Sequence, residues 1–244
     1  MGARAAWLLA AILLVGLALR IWGLAFGLPN ISCRPDESTL VHRALAIGAG
    51  DPNPHFFNYP SLHFYLLAAV YGAYYIAGFW GGIFENTAVF EAQFLKDPSV
   101  FYLIGRGLGA LMGIASVGVL YSIGTRLGGV LVGLASALFL SCCFLHVRDS
   151  HFLTVDIPAT FYLLVSILFS LRYMEGRAVR NLIVCAIFLG LSASTKYNLG
   201  LFAGVVLIVA YQKNDSLRAN GGRLCWVVGV MAAAFIAGSP YVLL

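Results

Sequence analysis

The sequence has 244 residues, of which 61% are hydrophobic and 10% are charged, and its mean hydropathy is +0.89. A soluble domain of this size does not need so much apolar surface, so the composition excludes a soluble globular protein. It predicts an all-α, polytopic membrane protein, whose spans need about 20 apolar residues each. The sequence pI near 9.0 does not indicate nucleic-acid binding, because Lys and Arg mark the cytoplasmic side of a membrane protein.

Apolar runs along the chain define the candidate spans. They occupy residues 5–28, 61–80, 100–124, 128–145, 156–174, 181–195, 198–211 and 224–244. The first run continues past Arg20 without a clear small-residue cleavage site, so it is predicted to be an uncleaved span rather than a signal peptide.

The distribution of Lys and Arg favours seven spans over eight. If all eight runs crossed, the acidic segment 81–99 would be cytoplasmic and Arg172, Arg177 and Arg180 would lie outside, against the positive-inside rule. If 61–80 instead dips into the outer leaflet or lies along it, the cytoplasmic loops hold most of the basic residues. We therefore predict seven spans and a first outer loop, 29–99, that contains juxtamembrane helices. The segments "RPDE", "HVRDSHFLTVD" and "TKYN" then share the outer face.

The first outer loop begins with a predicted amphipathic helix. Pro35, Asp36 and Glu37 open it, and Gly48, Gly50 and "DP" end it. Its apolar face comprises Leu40, Val41, Ala44, Leu45 and Gly48. The two acids are candidate catalytic groups, although acids in a first turn also simply complement the helix dipole.

The next two segments are predicted to pack rather than to react. Run 61–80 is rich in Tyr and Trp, which favour the headgroup level. In the following span Gly105, Gly109 and Gly113 recur every four residues, and such a row of small residues lets another helix approach closely. Arg106 either snorkels to the surface or binds an anion.

The second polar cluster precedes the span that starts at Asp156. Asp with a proline in the first turn is also an ordinary helix start. His146, Asp149 and His151 have unspecific spacing for a metal site, and Arg148 is a loop cation or an anion contact. Lys196 lies between two apolar stretches of about 14 residues, which as helices would be about 21 Å long against a core of about 30 Å. We expect it in a dip below the outer surface, where a lysine needs an anionic partner or water.

These groups suit group transfer from a lipid-linked phosphate to an acceptor outside the membrane. A carboxylate would serve as general base for the acceptor. Cations low in the membrane would stabilise the charge that builds on the departing phosphate.

The ordered set of motifs resembles the family 39 glycosyltransferases of the C-type (GT-C) fold. The resemblance rests on the acidic pair, the aromatic-proline helix, "GRGLGALMG", Asp156 and "TKYN". That group includes protein O-mannosyltransferases and the lipid A aminoarabinose transferase. The resemblance implies inverting transfer from a polyprenyl-phosphate sugar to an outer-face protein, lipid or glycan, in the cytoplasmic membrane.

The resemblance also implies roles for individual residues. Asp36 would be the catalytic base with Glu37 beside it, and Asp156 would position the substrate or a divalent metal ion, held by Asp36 and Asp156 if one is used. The expected substrate contacts are Lys196 and Arg106, to the polyprenyl phosphate, together with Arg148, His151, Tyr59 and Tyr197. Where the aminoarabinose transferases carry Glu-Lys before the juxtamembrane proline, this chain has Asn58-Tyr59, so contacts made there are not carried over.

Two alternatives stay open. One is a transporter, although transporter sites usually lie near the midplane within repeated halves, and this sequence shows no internal repeat. The other is a non-catalytic lipid-binding or scaffold module. Residues 1–244 are predicted to form one transmembrane module, with the C-terminal part of the usual family chain absent.

Overall fold

The fold is helical throughout the described part of the chain. The structure, a computed structural model, describes residues 2–243 and contains no strand within them. Its ten α-helices are α1 (Ala3–Ile21), α2 (Pro35–Gly48), α3 (Leu62–Trp80), α4 (Thr87–Lys96), α5 (Ser99–Cys142), α6 (Phe144–Ser150), α7 (Asp156–Gly176), α8 (Val179–Ala193), α9 (Ala203–Ala210) and α10 (Leu217–Gly238). Short 3₁₀ helices occupy Ile31–Cys33 and Tyr197–Phe202.

The long helices form a bundle in which each packs mainly on its neighbours. Helix α5 contacts both α1 and α7, α7 contacts α8, and α8 contacts α10. Five helices are long and apolar enough to cross a membrane, namely α1, α3, α5, α7 and α10, and two shorter apolar helices cover Val179–Ala193 and Tyr197–Ala210. The polytopic helical fold predicted from composition is confirmed.

Helix α5 is a hairpin of two spans. Its backbone leaves helical geometry at Gly128 and Gly129, and Gly129 has a φ of 81°, which a residue with a Cβ rarely adopts. The two arms touch beside this turn, because a Cβ at Gly133 would lie 2.8 Å from the carbonyl oxygen of Tyr121. The predicted spans 100–124 and 128–145 are therefore the two arms of one hairpin.

Chain geometry shows that α3 does not make a net crossing. Arg106, near the start of α5, donates a hydrogen bond to Leu24 O just after α1, at 2.7 Å, so residues 24 and 106 lie at the same end of the bundle. Between them, α4 has only 10 residues, or about 15 Å of helix against a core of about 30 Å. A crossing by α3 would therefore need a second crossing to return, and α4 is too short to make one. The seven-span topology, which counts both arms of α5 and the shorter apolar helices Val179–Ala193 and Tyr197–Ala210 as spans, stays a prediction.

Helix α2 packs on protein through the predicted face. Leu40, Val41 and Ala44 are buried against α3 and the start of α5, together with Tyr71 and Phe101. The expectation of a helix from Pro35 to Gly48 is confirmed. We call this part of the molecule, where α2 closes over the starts of α5 and α7, the α2 end.

Candidate active site

Two adjacent acids on α2 point in different directions. Successive residues of a helix are about 100° apart, and the apolar face of α2 is centred beside Glu37 rather than Asp36. Glu37 is accordingly 1% exposed, whereas Asp36 is exposed. Among the described residues, none donates a hydrogen bond to Asp36 or forms an ion pair with it. Asp36 is therefore the acid of this pair that a substrate can reach.

Glu37 joins three segments of the chain at the α2 end. Its carboxylate accepts hydrogen bonds from Arg106 Nε at 2.9 Å and Arg106 Nη2 at 2.7 Å. It also accepts one from the backbone N–H of Leu153 at 2.8 Å. Arg106, which is 2% exposed, uses its Nη1 on the carbonyl oxygens of Leu24 and Phe26. The polar atoms of both side chains are thus occupied by hydrogen bonds to protein groups. A catalytic role for Glu37 and a contact of Arg106 to the lipid phosphate were expected from the sequence, and the structure gives both residues protein partners instead.

The glycines of α5 receive the segment that leads to Asp156. A Cβ at Gly105 would lie 2.1 Å from Leu153 Cδ1, and a Cβ at Gly113 would lie 2.5 Å from Ser150 Oγ. The predicted close approach is present. The elements that approach are the end of α6 with the irregular residues after it and, at Gly113, also Arg20 of the spanning helix α1. The glycines thereby let the α6–α7 connection lie directly on α5.

Asp156 and Lys196 form an ion pair at the edge of the bundle. Asp156 begins α7, as predicted. Lys196 lies in extended backbone between α8 and the second 3₁₀ helix, and its Nζ donates to Asp156 Oδ1. The Asp156 side chain is 47% exposed and that of Lys196 is 36% exposed, so solvent or a ligand reaches both groups. This pair differs in burial from the pair formed by Glu37 and Arg106.

The two tyrosines expected to bind substrate differ in their surroundings. Tyr197 follows Lys196 directly, is 41% exposed, and donates from its hydroxyl to Phe57 O at 3.1 Å. Tyr59 is half-buried and its ring packs on Phe56, with centroids 5.7 Å apart. The first outer loop is thus anchored beside Lys196, and "RPDE", the Asp156 segment and "TKYN" meet at the α2 end.

Most polar side chains of "HVRDSH" are occupied by neighbours. Arg148 pairs with Asp149 at 2.8 Å, and His151 Nε2 lies 2.8 Å from Leu19 O. His146 Nδ1 contacts Arg20 Nη2 at 2.8 Å. His146 lies in α6, outside the spans, and burial followed by the charge of Arg20 lowers its pKa to about 4. The cluster thus holds the α6–α7 connection in place, and the expected substrate roles of Arg148 and His151 stay predictions.

Arg20 is a site-supporting residue that sequence reasoning missed. It is fully buried, and it donates to the carbonyl oxygens of Leu140 and Ser141 in the last turn of α5, both at 3.2 Å. A cation there complements the helix dipole and satisfies carbonyl groups that have no partner within the helix. The signal was available, since Arg20 is the one charged residue of run 5–28 and charges inside spans are costly.

Arg34 was also missed, and it lies two residues before Asp36. Its guanidinium carbon is 3.5 Å from the centroid of the Phe152 ring, so the "RPDE" segment and the α6–α7 connection stack on each other. A guanidinium stacked by its face keeps its N–H groups available at its edge. Arg34 is exposed, and no carboxylate within the described residues forms an ion pair with it.

The residues present do not fit a divalent metal ion. Within residues 2–243, no group of three or more His, Cys, Asp or Glu side chains lies close enough to hold one. Asp156, one of the two expected ligands, is already neutralised by the ammonium group of Lys196. A divalent ion at Asp156 would be repelled by that ammonium group.

Comparisons with known proteins connect this geometry to a family. Residues 99–243 match the family model for dolichyl-phosphate-mannose-protein mannosyltransferase. The fold is similar to that of the S. cerevisiae protein O-mannosyltransferase Pmt1-Pmt2 complex bound to the sugar donor, with a TM-score of 0.66 and 20% sequence identity. That similarity covers 98% of this chain and 33% of the yeast chain, so this chain spans about a third of its length. No curated protein gives a significant sequence match.

Proposed function

The chain belongs to the dolichyl-phosphate-mannose-protein mannosyltransferase family, and from this premise we propose that it transfers mannose from a polyprenyl-phosphate donor to a hydroxyl group of a protein acceptor. The observation that carries this proposal is the carboxylate of Asp36, which is exposed and has no partner within the described residues, beside the firmly bound Glu37. A general base must be reachable by the acceptor and must be held in a defined position, and this pair of acids meets both requirements.

The proposed reaction inverts the configuration of the sugar. The acceptor oxygen attacks C1 of the mannose on the face opposite the phosphate, and Asp36 takes the hydroxyl proton. The bond between C1 and the phosphate oxygen breaks, and its electron pair stays on the phosphate. The product phosphate carries more negative charge than the donor did, so a cation on that side lowers the barrier.

Burial decides which cation is suited to meet the phosphate. Lys196 and Asp156 are each partly exposed, and ion pairs of that kind contribute about 0–1 kcal/mol. Lys196 can therefore leave Asp156 for a phosphate at little cost. Arg106 and Glu37 are buried, and removing one partner of such a pair costs about 3–5 kcal/mol. This difference supports Lys196 as the phosphate contact and Arg106 as a positioning residue.

The remaining residues are proposed to hold the reacting groups in place. Glu37 fixes the rotation of α2, and hence the direction of Asp36, by bonding to Arg106 and to Leu153 N. Asp156 keeps Lys196 at the mouth of the site until the donor arrives. Tyr197 is proposed to line the donor's path, because it follows Lys196 and is exposed.

A transfer assay in nanodiscs tests this proposal. Purified protein would be given radiolabelled mannose on polyprenyl phosphate together with hydroxyl-bearing peptides. We expect transfer by the wild type and a loss of roughly 10²-fold or more in Asp36→Asn, the usual range for losing a general base. Lys196→Met should raise KM for the donor and lower kcat. The matched control is Asp51→Asn, since Asp51 is an exposed acid at the far end of the α2 segment.

The outcomes separate the readings. Undiminished transfer by Asp36→Asn would refute the assigned base. If the wild type binds the donor but transfers nothing to any acceptor, the chain is a lipid-binding module rather than a complete enzyme. If it neither transfers nor binds, the proposed function is wrong for this chain.

We further propose that the α2 end faces the outside of the cell, as the distribution of Lys and Arg predicts. Cys33, which is exposed beside "RPDE", provides a direct test. In a chain whose other exposed cysteines, Cys142, Cys143 and Cys225, are changed to serine, a membrane-impermeant maleimide should label Cys33 in intact cells. The further change Cys33→Ser should remove that label. Labelling of Cys33 only after the cells are opened would place the site on the cytoplasmic side.

A further inference from the structure

A polar cleft lies on the exposed side of α2, one turn beyond Asp36. It has a volume of about 420 Å³ and is lined by Ser38, Thr39, His42, Arg43 and Ala46. Asp36, Thr39 and Arg43 follow each other at i, i+3 and i+7, which places them on one face of the helix. A ligand bound along this face would therefore contact the proposed base and Arg43 together.

Two of the polar side chains in the cleft are already used by the helix itself. Ser38 Oγ donates to Pro35 O at 2.6 Å, and His42 Nδ1 lies 2.7 Å from Ser38 O. Arg43 differs from them, because within residues 2–243 no hydrogen-bond acceptor or carboxylate pairs with its guanidinium. Arg43 is thus the group in the cleft best able to attract a ligand from solution.

Two arginines near Asp36 in the sequence have no acidic partner among the described residues. Arg34 lies two residues before Asp36 and Arg43 lies seven residues after it, and neither has a carboxylate partner among the described residues. By contrast, Arg106, Arg148 and Lys196 are all paired with acids. Arg34 is also held in place by its stacking on Phe152, so its N–H edge is ordered before any ligand binds.

We infer that Arg34 and Arg43 form a recognition surface for acceptor peptides that carry an acidic residue beside the hydroxyl to be modified. This inference rests on the proposed function. In an inverting reaction the base and the acceptor lie on the same side of the sugar, opposite the phosphate. Cations that flank the base therefore face the acceptor rather than the lipid phosphate, and their natural partner there is a carboxylate.

Peptide binding tests this surface independently of turnover. Fluorescent peptides with a central Thr flanked by Asp, by Asn or by Lys would be titrated against the full chain in nanodiscs of zwitterionic phosphatidylcholine. Each partly exposed ion pair is expected to strengthen binding roughly two- to fivefold. The Asp peptide should therefore bind about tenfold more tightly than the Asn peptide at low salt, and the preference should shrink as salt screens the charges.

Variants assign the preference to individual residues. Arg34→Gln and Arg43→Gln should each weaken binding of the Asp peptide severalfold while leaving the Asn peptide nearly unchanged. Arg34→Lys keeps the charge but loses the planar stacking, so its affinity for the Asp peptide should lie between that of the wild type and that of Arg34→Gln. Lys96→Gln is the matched control, because Lys96 is an exposed cation at the end of α4, and it should keep the full preference.

The two proposals fail in different ways. Equal binding of the Asp and Asn peptides by the wild type, or an acid preference that survives in both Arg→Gln variants, overturns the recognition surface even if mannose is transferred. A charge preference that depends on both arginines supports the surface even if no mannose is transferred, and that second failure would count against the proposed function alone.

Discussion

Removing Glu37 alone should destabilise the protein more than removing Glu37 and Arg106 together. In Glu37→Met the guanidinium of Arg106 stays 2% exposed without a counter-charge, which costs about 3–5 kcal/mol. The N–H of Leu153 also loses its acceptor, for about 1 kcal/mol or more. The expected loss in the free energy of unfolding is therefore on the order of 4 kcal/mol.

The double variant separates the ion pair from its surroundings. Glu37→Met with Arg106→Met leaves no buried charge, and only Leu153 N and the carbonyl oxygens of Leu24 and Phe26 lose partners. That loss should be roughly 2–3 kcal/mol. Since each single variant leaves one buried charge unpaired, the sum of the singles should exceed the double by about 3 kcal/mol or more.

Unfolding by SDS in mixed micelles measures these differences. The control is the same cycle on Arg126 and Glu175, an ion pair whose side chains are 31% and 50% exposed, where the coupling should stay below about 1 kcal/mol. Additive losses at Glu37 and Arg106 would show that the buried pair does not act as a unit, and the positioning argument for Asp36 would fail with it.

Two further predictions concern the α6–α7 connection. Gly105→Ala should lower the free energy of unfolding by about 1–3 kcal/mol in the same assay, because the added methyl group would overlap the buried Leu153. Gly107→Ala is the control and should not lower it, because a Cβ there meets nothing within 4 Å. Equal effects of the two substitutions would contradict the packing of Leu153 on Gly105. The pKa of His146 is about 4, below its usual 6.5, so the unfolded chain binds more protons between those values. The free energy of unfolding should therefore fall by on the order of 3 kcal/mol as the pH drops from above 6.5 to 4. In His146→Gln the free energy of unfolding should depend less on pH than in the wild type.

Local patterns were enough to predict α2 and the long apolar helices, but not α6, which lies in a segment that was interpreted as a loop. Pro35 followed by two acids and an apolar face at i, i+3 and i+4 predicted α2, because helix starts and amphipathic spacing depend on neighbours within two turns. The distribution of Lys and Arg predicted seven spans, and hence that three distant polar segments meet at one end. The meeting of these three segments is the feature of the site that could be predicted from the sequence.

Contacts between distant residues could not be read in the same way. Glu37 and Arg106 are 69 residues apart, and Arg34 is still farther along the sequence from Phe152, on which it stacks. One signal was nevertheless present. On the helical wheel of α2, Glu37 falls within the apolar face defined by Val41 and Ala44, so its carboxylate had to be buried and therefore had to meet a cation.

The two acid–cation pairs make opposite demands, and this explains why both are present. The proposed base, Asp36, must be aimed within fractions of an ångström and so needs a support that does not open. The buried pair of Glu37 with Arg106 would provide that support, and its burial keeps both groups away from the substrate. The proposed phosphate contact, Lys196, needs a partner that it can leave when the donor binds. Its half-exposed pair with Asp156 meets that requirement. Adjacent acids on one helix can serve the two purposes because a rotation of about 100° separates the interior from the solvent. In the proposed mechanism, the bonds of Glu37 to Arg106 and Leu153 therefore set the direction of Asp36.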